Sequence, residues 1–347
     1  MRSILHVLPH GGGGGEGMVD MLAGMDGWRH DRRELSSARD PVRALPSIAM
    51  RWPGIARTAA AYDILHAHGD VAAVLTAPLL RRHRSVWHTH GLHFLRRARG
   101  PRLGAARASV RRAIGAANRT VCTSHAERDE LAQFIDSRLA ERLVVVHNGV
   151  ALPDSPPAAE RAALRRELGV GEDQVLCLYL GQLEERKAPG TLVDAVESVP
   201  GARMTLALAG DGPLLEPLRA RVSPAVRVLG FRDDPERLLA AADIFVMPSS
   251  REGLSLAVLE AMSHSLAVVV SDGAGNPEAV GDAGIVFPAG DSAALARTLA
   301  RLTRDLDERR RLGDAARARV ENGFRREHFV DRMARVYGEV LAEPARA

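Results

Sequence analysis

The sequence predicts an α/β protein built from two parallel-sheet domains, and three observations carry that expectation. Short apolar runs alternate with helical patterns nearly throughout the 347 residues, as in chains of βα units. Several runs, such as Val175–Leu180 and Ala267–Ser271, are apolar at consecutive positions, which suits strands covered on both faces. A stretch with three prolines in five residues, 153–157, interrupts the alternation just after Asn148-Gly149, and such punctuation marks a linker.

In the first half, strands are expected at 3–8, 63–67, 85–90, 120–123 and 143–147. In the second half they are expected at 175–180, 204–209, 226–229, 244–247, 267–271 and 285–287. Helical spacing fills the intervals, for example at 191–199 and 292–303. After residue 324 a last amphipathic pattern sets Phe329, Met333, Val336 and Val340 on one face. Residues 1–152 then form one Rossmann-like domain and 153–325 a second, with 326–347 a terminal helix returning toward the first. Two doubly wound domains facing each other across a cleft are the natural architecture. Ligands in such sheets bind beyond the carboxyl ends of the strands, so the loops there are where chemistry is sought.

Composition narrows the function classes. The net charge of +4 is modest, and no zinc-finger, helix-turn-helix or stacking-aromatic pattern accompanies it, so nucleic acid is not an expected partner. No apolar run approaches the roughly 20 residues of a spanning helix, and the N-terminus lacks a secretory layout. Cys122 and Cys177 sit in separate strand-like runs without metal-ligand spacing, as buried free thiols do. A cytoplasmic protein is expected. Residues 94–112 carry seven arginines among Leu95, Leu103 and Val110. A solvated helix on an arginine-rich surface is the plainer reading, and peripheral contact with an anionic membrane at its inner face is the alternative.

Five constellations lie at expected strand ends. The glycine run 11–15 follows the first strand, so a phosphate or sugar could approach backbone N–H groups at a helix start. Residues 87–93, Trp-His-Thr-His-Gly-Leu-His, place up to three histidines after the third strand. No carboxylate or cysteine is near in sequence, so no metal site is expected. His90, where the strand gives way to Gly91, is the histidine expected to meet substrate, with His88 the alternative. Gly181-Gln-Leu-Glu-Glu-Arg-Lys187 holds the only lysine among 47 basic residues. In a loop before a helix, an ammonium group is placed to meet a diphosphate. Gly230-Phe231-Arg232 follows another strand, where a planar base could rest against backbone and the arginine stem. In the segment 242–280, Glu252 sits in a turn after a strand, and Glu260 lies in the helix that follows. Glu252 beside a helix N-terminus suits sugar hydroxyls next to an anionic group. Glu260 is set in a helix apolar nearly all round and needs a buried partner, which ribose hydroxyls would supply.

The eight-position spacing from Glu252 to Glu260, the Gly181–Lys187 loop and the Gly210-Asp-Gly-Pro213 turn resemble the retaining nucleotide-sugar glycosyltransferases of family 4, which have the GT-B fold. The segment 273–278, the Val146-His-Asn-Gly-Val150 boundary and the glycine run ending in Glu16 agree, in the same order. The resemblance covers essentially the whole chain and is strongest from residue 180 to 287. It implies transfer of a hexose-type sugar to a hydroxyl acceptor, small or lipid-linked, with retained configuration and with neither metal nor cofactor besides the donor. It implies that Glu252 holds donor-sugar hydroxyls and Glu260 the ribose. It also implies that the amides of Gly253, Leu254 and Ser255 meet the diphosphate, and that Lys187 neutralises the leaving phosphate. Gly14 and Gly15 would lie near the diphosphate or acceptor, and His90 near the donor sugar. The chain departs from the family pattern at Gln182, where the phosphate loop usually carries arginine, which would weaken diphosphate stabilisation unless Arg186 or another arginine reaches in. A nucleotide-sugar epimerase of the same fold and a non-catalytic nucleotide-binding subunit are the alternative functions.

Overall fold

The computed structural model describes residues 1–343 apart from 11–13, 37–40, 155–157, 200, 202 and 222. The chain divides into two units, Met1–Asn148 with Arg326–Ala347, and Gly149–Arg325. The division falls a few residues before Pro153, where the chain leaves Asn148.

In the first unit a six-stranded parallel sheet runs β2-β1-β3-β4-β5-β6. Its strands are β1 (Arg2–Leu8), β2 (Trp28–Glu34), β3 (Ile64–His68), β4 (Ser85–His88), β5 (Arg119–Cys122) and β6 (Leu143–Val145). One face packs Leu5, Val7, Leu65 and Trp87 against helices from the middle of the unit. The other face buries Ile4, Ile64, Val86 and Val121 under the C-terminal helix Arg326–Ala342, through Phe329, Met333, Tyr337 and Val340.

Two sequence expectations need correction here. Trp28-Arg-His-Asp-Arg-Arg-Glu34 has no apolar run, yet it pairs with β1 over seven residues as an edge strand. An edge strand needs only its backbone and one face, and its charges guard it against pairing with other chains. The strand expected at 85–90 ends at His88, because His90 and Leu92 adopt left-handed backbone (φ 53° and 51°) around Gly91. That kink turns His90 out of the ladder.

The second unit holds the order β12-β11-β10-β7-β8-β9. Its strands are β7 (Val175–Leu180), β8 (Met204–Ala209), β9 (Val226–Gly230), β10 (Ile244–Met247), β11 (Ala267–Ser271) and β12 (Ile285–Phe287). Every residue of β8, β10 and β11 is buried, which is why these strands read as unbroken apolar runs. The strand order reverses between β7 and β10, so the chain leaves these two neighbours on opposite sides and opens a crevice at their carboxyl ends. Glycine keeps the loops there close. A Cβ on Gly210 would stand 1.8 Å from the Gly181 carbonyl oxygen, and one on Gly273 would stand 2.3 Å from that of Ser249. Both thiols, Cys122 and Cys177, are buried and free.

Candidate active site

Lys187 and Glu252 meet at the point where the strand order of the second unit reverses. After β7 the chain makes a short 3-10 turn, Glu185–Lys187, closed by Ala188 in left-handed backbone. After β10 the loop reaches Ser255, the residue before the helix Leu256–Ser263. The two loops are stitched together. Ser250 donates its amide to the Arg186 carbonyl at 3.0 Å, and the Arg186 guanidinium donates to the Arg251 carbonyl at 2.9 Å. The loop after β11 joins them when the Gly275 amide donates to the Glu252 carbonyl at 3.2 Å.

Within this frame Lys187 Nζ lies 2.6 Å from Glu252 Oε1, with Arg186 3.9 Å from the same oxygen and paired to Glu184 at 2.7 Å. Glu252 is buried. Burial alone would raise its pKa, but the Lys187 charge and hydrogen bond, then Arg186 and the Ser249 hydroxyl, hold it below the ordinary carboxylate value. Two cations and an ionised carboxylate therefore share one crevice beside a helix N-terminus, where Gly253, Leu254 and Ser255 are all buried. Ser255 makes no side-chain capping bond. Such a site holds an anion and polar hydroxyls side by side.

Glu260 lies one turn into the helix, half-buried, and its pKa is pushed up to about 7, first by burial and then by the like charge of Glu236. After β9, Gly230 has a φ of 76° and Phe231 is 76% exposed. Arg232 is committed to both oxygens of Asp234 at 2.7 Å and to Glu167 at 3.1 Å. Gln182 is exposed, and its carbonyl accepts the Tyr179 hydroxyl at 2.7 Å. The expected cation is thus absent at Gln182, and Arg186 stands next to Lys187 instead. Sequence reading offered Arg186 or another arginine as the substitute cation, and the turn that brings Arg186 beside Glu252 singles it out.

The first unit holds the rest of the expected residues. Gly14 and Gly15 open the helix Gly14–Leu22 after β1, while Gly11, Gly12 and Gly13 lie outside the described residues. His90 is half-buried, with Nε2 2.8 Å from His68 Nδ1. His88 is buried beside it, rings stacked at 4.2 Å, and His93 is exposed. Sequence reading missed what surrounds them. His6, His30, His66 and His68 share the sheet face of His88, and the two His-x-His pairs were the available signal, since spacing by two keeps side chains on one face. Ring nitrogens of His6, His66 and His68, and of His68, His88 and His90, lie within 4.8 Å of one another, near enough for a metal ion. In the segment 94–112, Arg97, Arg99, Arg102, Arg107, Arg111 and Arg112 are exposed, whereas Arg96 is buried against Glu130. Among the described residues no helix is long and apolar enough to cross a membrane.

Two six-stranded Rossmann-like units, one with a cation–carboxylate pair at its topological switch point, match the GT-B fold. Residues 8–152 match the model of glycosyltransferase family 4, and residues 174–305 match that of the glycosyl transferases group 1. The chain is 30% identical to a D-inositol 3-phosphate glycosyltransferase of Streptomyces bingchenggensis, over 81% of this chain and 67% of the relative. It is equally identical to the putative glycosyltransferase EpsD of Bacillus subtilis, over 81% of this chain and 77% of the relative. Among solved structures, Anabaena HepE in complex with UDP and glucose superimposes with a TM-score of 0.82 at 22% identity, covering 98% of this chain and 100% of HepE. A sucrose-phosphate synthase of Thermosynechococcus elongatus superimposes with a TM-score of 0.83 at 20% identity, over 99% and 100%. The chain belongs to glycosyltransferase family 4.

Proposed function

We propose that this glycosyltransferase moves a hexose-type sugar from a nucleoside-diphosphate sugar to a hydroxyl acceptor with retention of configuration and without a metal. The observation that carries the reading is the 2.6 Å pair of Lys187 and Glu252 at the switch point. When donor binds, Lys187 and Arg186 turn to the diphosphate, together with the amides around Gly253, Leu254 and Ser255. Glu252 takes hydroxyls of the sugar, and Glu260 those of the ribose. The bond from the anomeric carbon to the phosphate oxygen breaks, and its electron pair stays on the diphosphate, whose developing charge Lys187 offsets. The acceptor oxygen bonds the same carbon on the same face and passes its proton to the departing oxygen. UDP-glucose is the first donor to try, because HepE has been solved with UDP and with UDP-glucose. Inositol phosphate is the first acceptor, from the relative's name.

Labelled UDP- and GDP-sugars, each with and without acceptors and with excess chelator, test the reading. Acceptor-dependent release of nucleotide that survives the chelator and retains the anomeric configuration is expected. Epimerised sugar formed with no acceptor would replace transfer by isomerisation, and binding without turnover across the screen would make the chain a nucleotide-binding subunit.

A further inference from the structure

The first unit contains an unbroken chain of imidazole hydrogen bonds. His30 Nδ1 lies 2.9 Å from His6 Nε2, His6 Nδ1 lies 2.8 Å from His68 Nε2, and His68 Nδ1 lies 2.8 Å from His90 Nε2. The ring centres are 5.2, 5.1 and 5.1 Å apart. Each separation is close to the N···N distance plus the two ring-centre-to-nitrogen lengths, so each nitrogen faces its partner along the line of centres. Every link joins the Nδ1 of one ring to the Nε2 of the next.

That alternation has a chemical consequence. A neutral imidazole carries one N–H and one lone pair, so each ring in an intact neutral chain donates once and accepts once. Only two arrangements satisfy all three links: all four rings protonated on Nδ1, or all four on Nε2. We propose that His30, His6, His68 and His90 form a proton relay that carries one proton at a time between the half-buried His30 and His90. Starting from the Nδ1 arrangement, a proton enters at His30 Nε2, which is buried without a hydrogen-bond partner among the described residues and takes up the proton only when this edge of the sheet opens to water. The His30 Nδ1 proton passes to His6 Nε2, the His6 Nδ1 proton to His68 Nε2, and the His68 Nδ1 proton to His90 Nε2. His90 then releases its own Nδ1 proton, and every ring ends protonated on Nε2. One proton enters, one leaves, no ring keeps a charge, and the reverse passage restores the first state.

The surroundings favour neutral rings. Burial holds the pKa of His6 and His90 down to about 3 and that of His68 well below its usual value. The groups facing the chain are His66 and His88 on the same sheet face, His93 next to His90, Asp31 next to His30, and Tyr337 of the C-terminal helix, whose hydroxyl lies 2.8 Å from His66 Nδ1. Three neutral imidazoles can hold a metal ion, but the nitrogens of each link here face one another at 2.8–2.9 Å, an arrangement that shares protons.

The relay can be tested in the free protein. Nitrogen-15 NMR of histidine-labelled full-length chain is expected to show His6, His30, His68 and His90 in one common tautomer, with couplings across the three N···N contacts. A mixed set of tautomers overturns the relay. His30→Phe, at the edge strand and not in contact with His90, is expected to shift the tautomer balance of His90, and His6→Gln to cut the chain at its centre. An unmoved His90 tautomer in folded His30→Phe overturns the proposal.

Discussion

Lowering the pH from 8 to 6 is expected to weaken nucleotide-sugar binding about ten-fold, through Glu260. Its pKa is pushed up to about 7 by burial and Glu236, so the free protein holds a proton there at pH 6 and has shed most of it by pH 8. Ribose hydroxyls that donate to this carboxylate favour its charged form, so binding expels the proton. With a pKa near 7 free and well below 6 bound, affinity rises about ten-fold from pH 6 to pH 8, roughly 1.4 kcal/mol, and levels off above. The effect on stability has the opposite sign. The folded pKa exceeds the ordinary value of 4.5, so the folded state binds more protons than the unfolded state between these values. Stability therefore falls as pH rises through that window, by at most about 3 kcal/mol. Glu260→Gln is thus expected to melt above the parent at pH 8, yet to bind donor more weakly and with no pH dependence. The assay is calorimetric titration with UDP-glucose, whose esterified phosphates do not titrate in this range, in two buffers of different ionisation enthalpy. About one proton should be released per donor at pH 6 and almost none at pH 8. Flat affinity with no proton released at pH 6 refutes the assignment of Glu260 to the ribose.

The remaining expectations concern charge. Lys187→Ala and Glu252→Ala should each abolish transfer in a folded protein, and the loss of one partner of this buried pair should cost about 3 kcal/mol in denaturant unfolding. The double variant Lys187→Met/Glu252→Gln should cost far less than the sum of the single variants Lys187→Met and Glu252→Gln, and strict additivity in that cycle would mean that the two are not coupled. Gln182→Arg should raise diphosphate affinity and donor turnover, as measured by steady-state kinetics, while no gain would indicate that Arg186 already supplies the missing charge. Cosedimentation with phosphatidylglycerol vesicles should show no binding at low salt, as a solvated helix requires. Salt-sensitive binding that is lost when Arg102, Arg107 and Arg111 are changed to Gln would make the segment a membrane contact instead.

The second unit was the more legible half, for a physical reason. Its strands β7, β8, β10, β11 and β12 are found at their expected bounds, because strands buried in a parallel sheet must be apolar throughout, and turn glycines punctuate them. Lys187, Glu252 and Glu260 could be placed at strand ends because loop and helix boundaries are local. Their pairing could not be, since it depends on β7 and β10 becoming neighbours although β8 and β9 lie between them in sequence. The first unit hid more. The strand β2 has no hydrophobic signature, and polar histidines at core positions read as cleft residues rather than as a network across β1, β2, β3 and β4. Arg186 could be named as a substitute cation, but its place beside Glu252 depends on the same pairing of β7 and β10.

On the proposed assignment, the same contact would make the site both stable and reactive. Side chains of Lys187 and Glu252 are only 15% and 7% exposed, so neither charge is well hydrated, and each is tolerated because the other is present. A donor with a diphosphate and a hydroxylated sugar offers each of them a better partner: the anion for Lys187, the hydroxyls for Glu252. Binding then exchanges one buried ion pair for two charge-assisted contacts without moving either charge into or out of water. The cost of desolvating and orienting these groups is met when the protein folds, not when the substrate arrives. On this argument the double variant keeps the fold and loses the chemistry, because what it removes is the preorganised charge and not the packing around it.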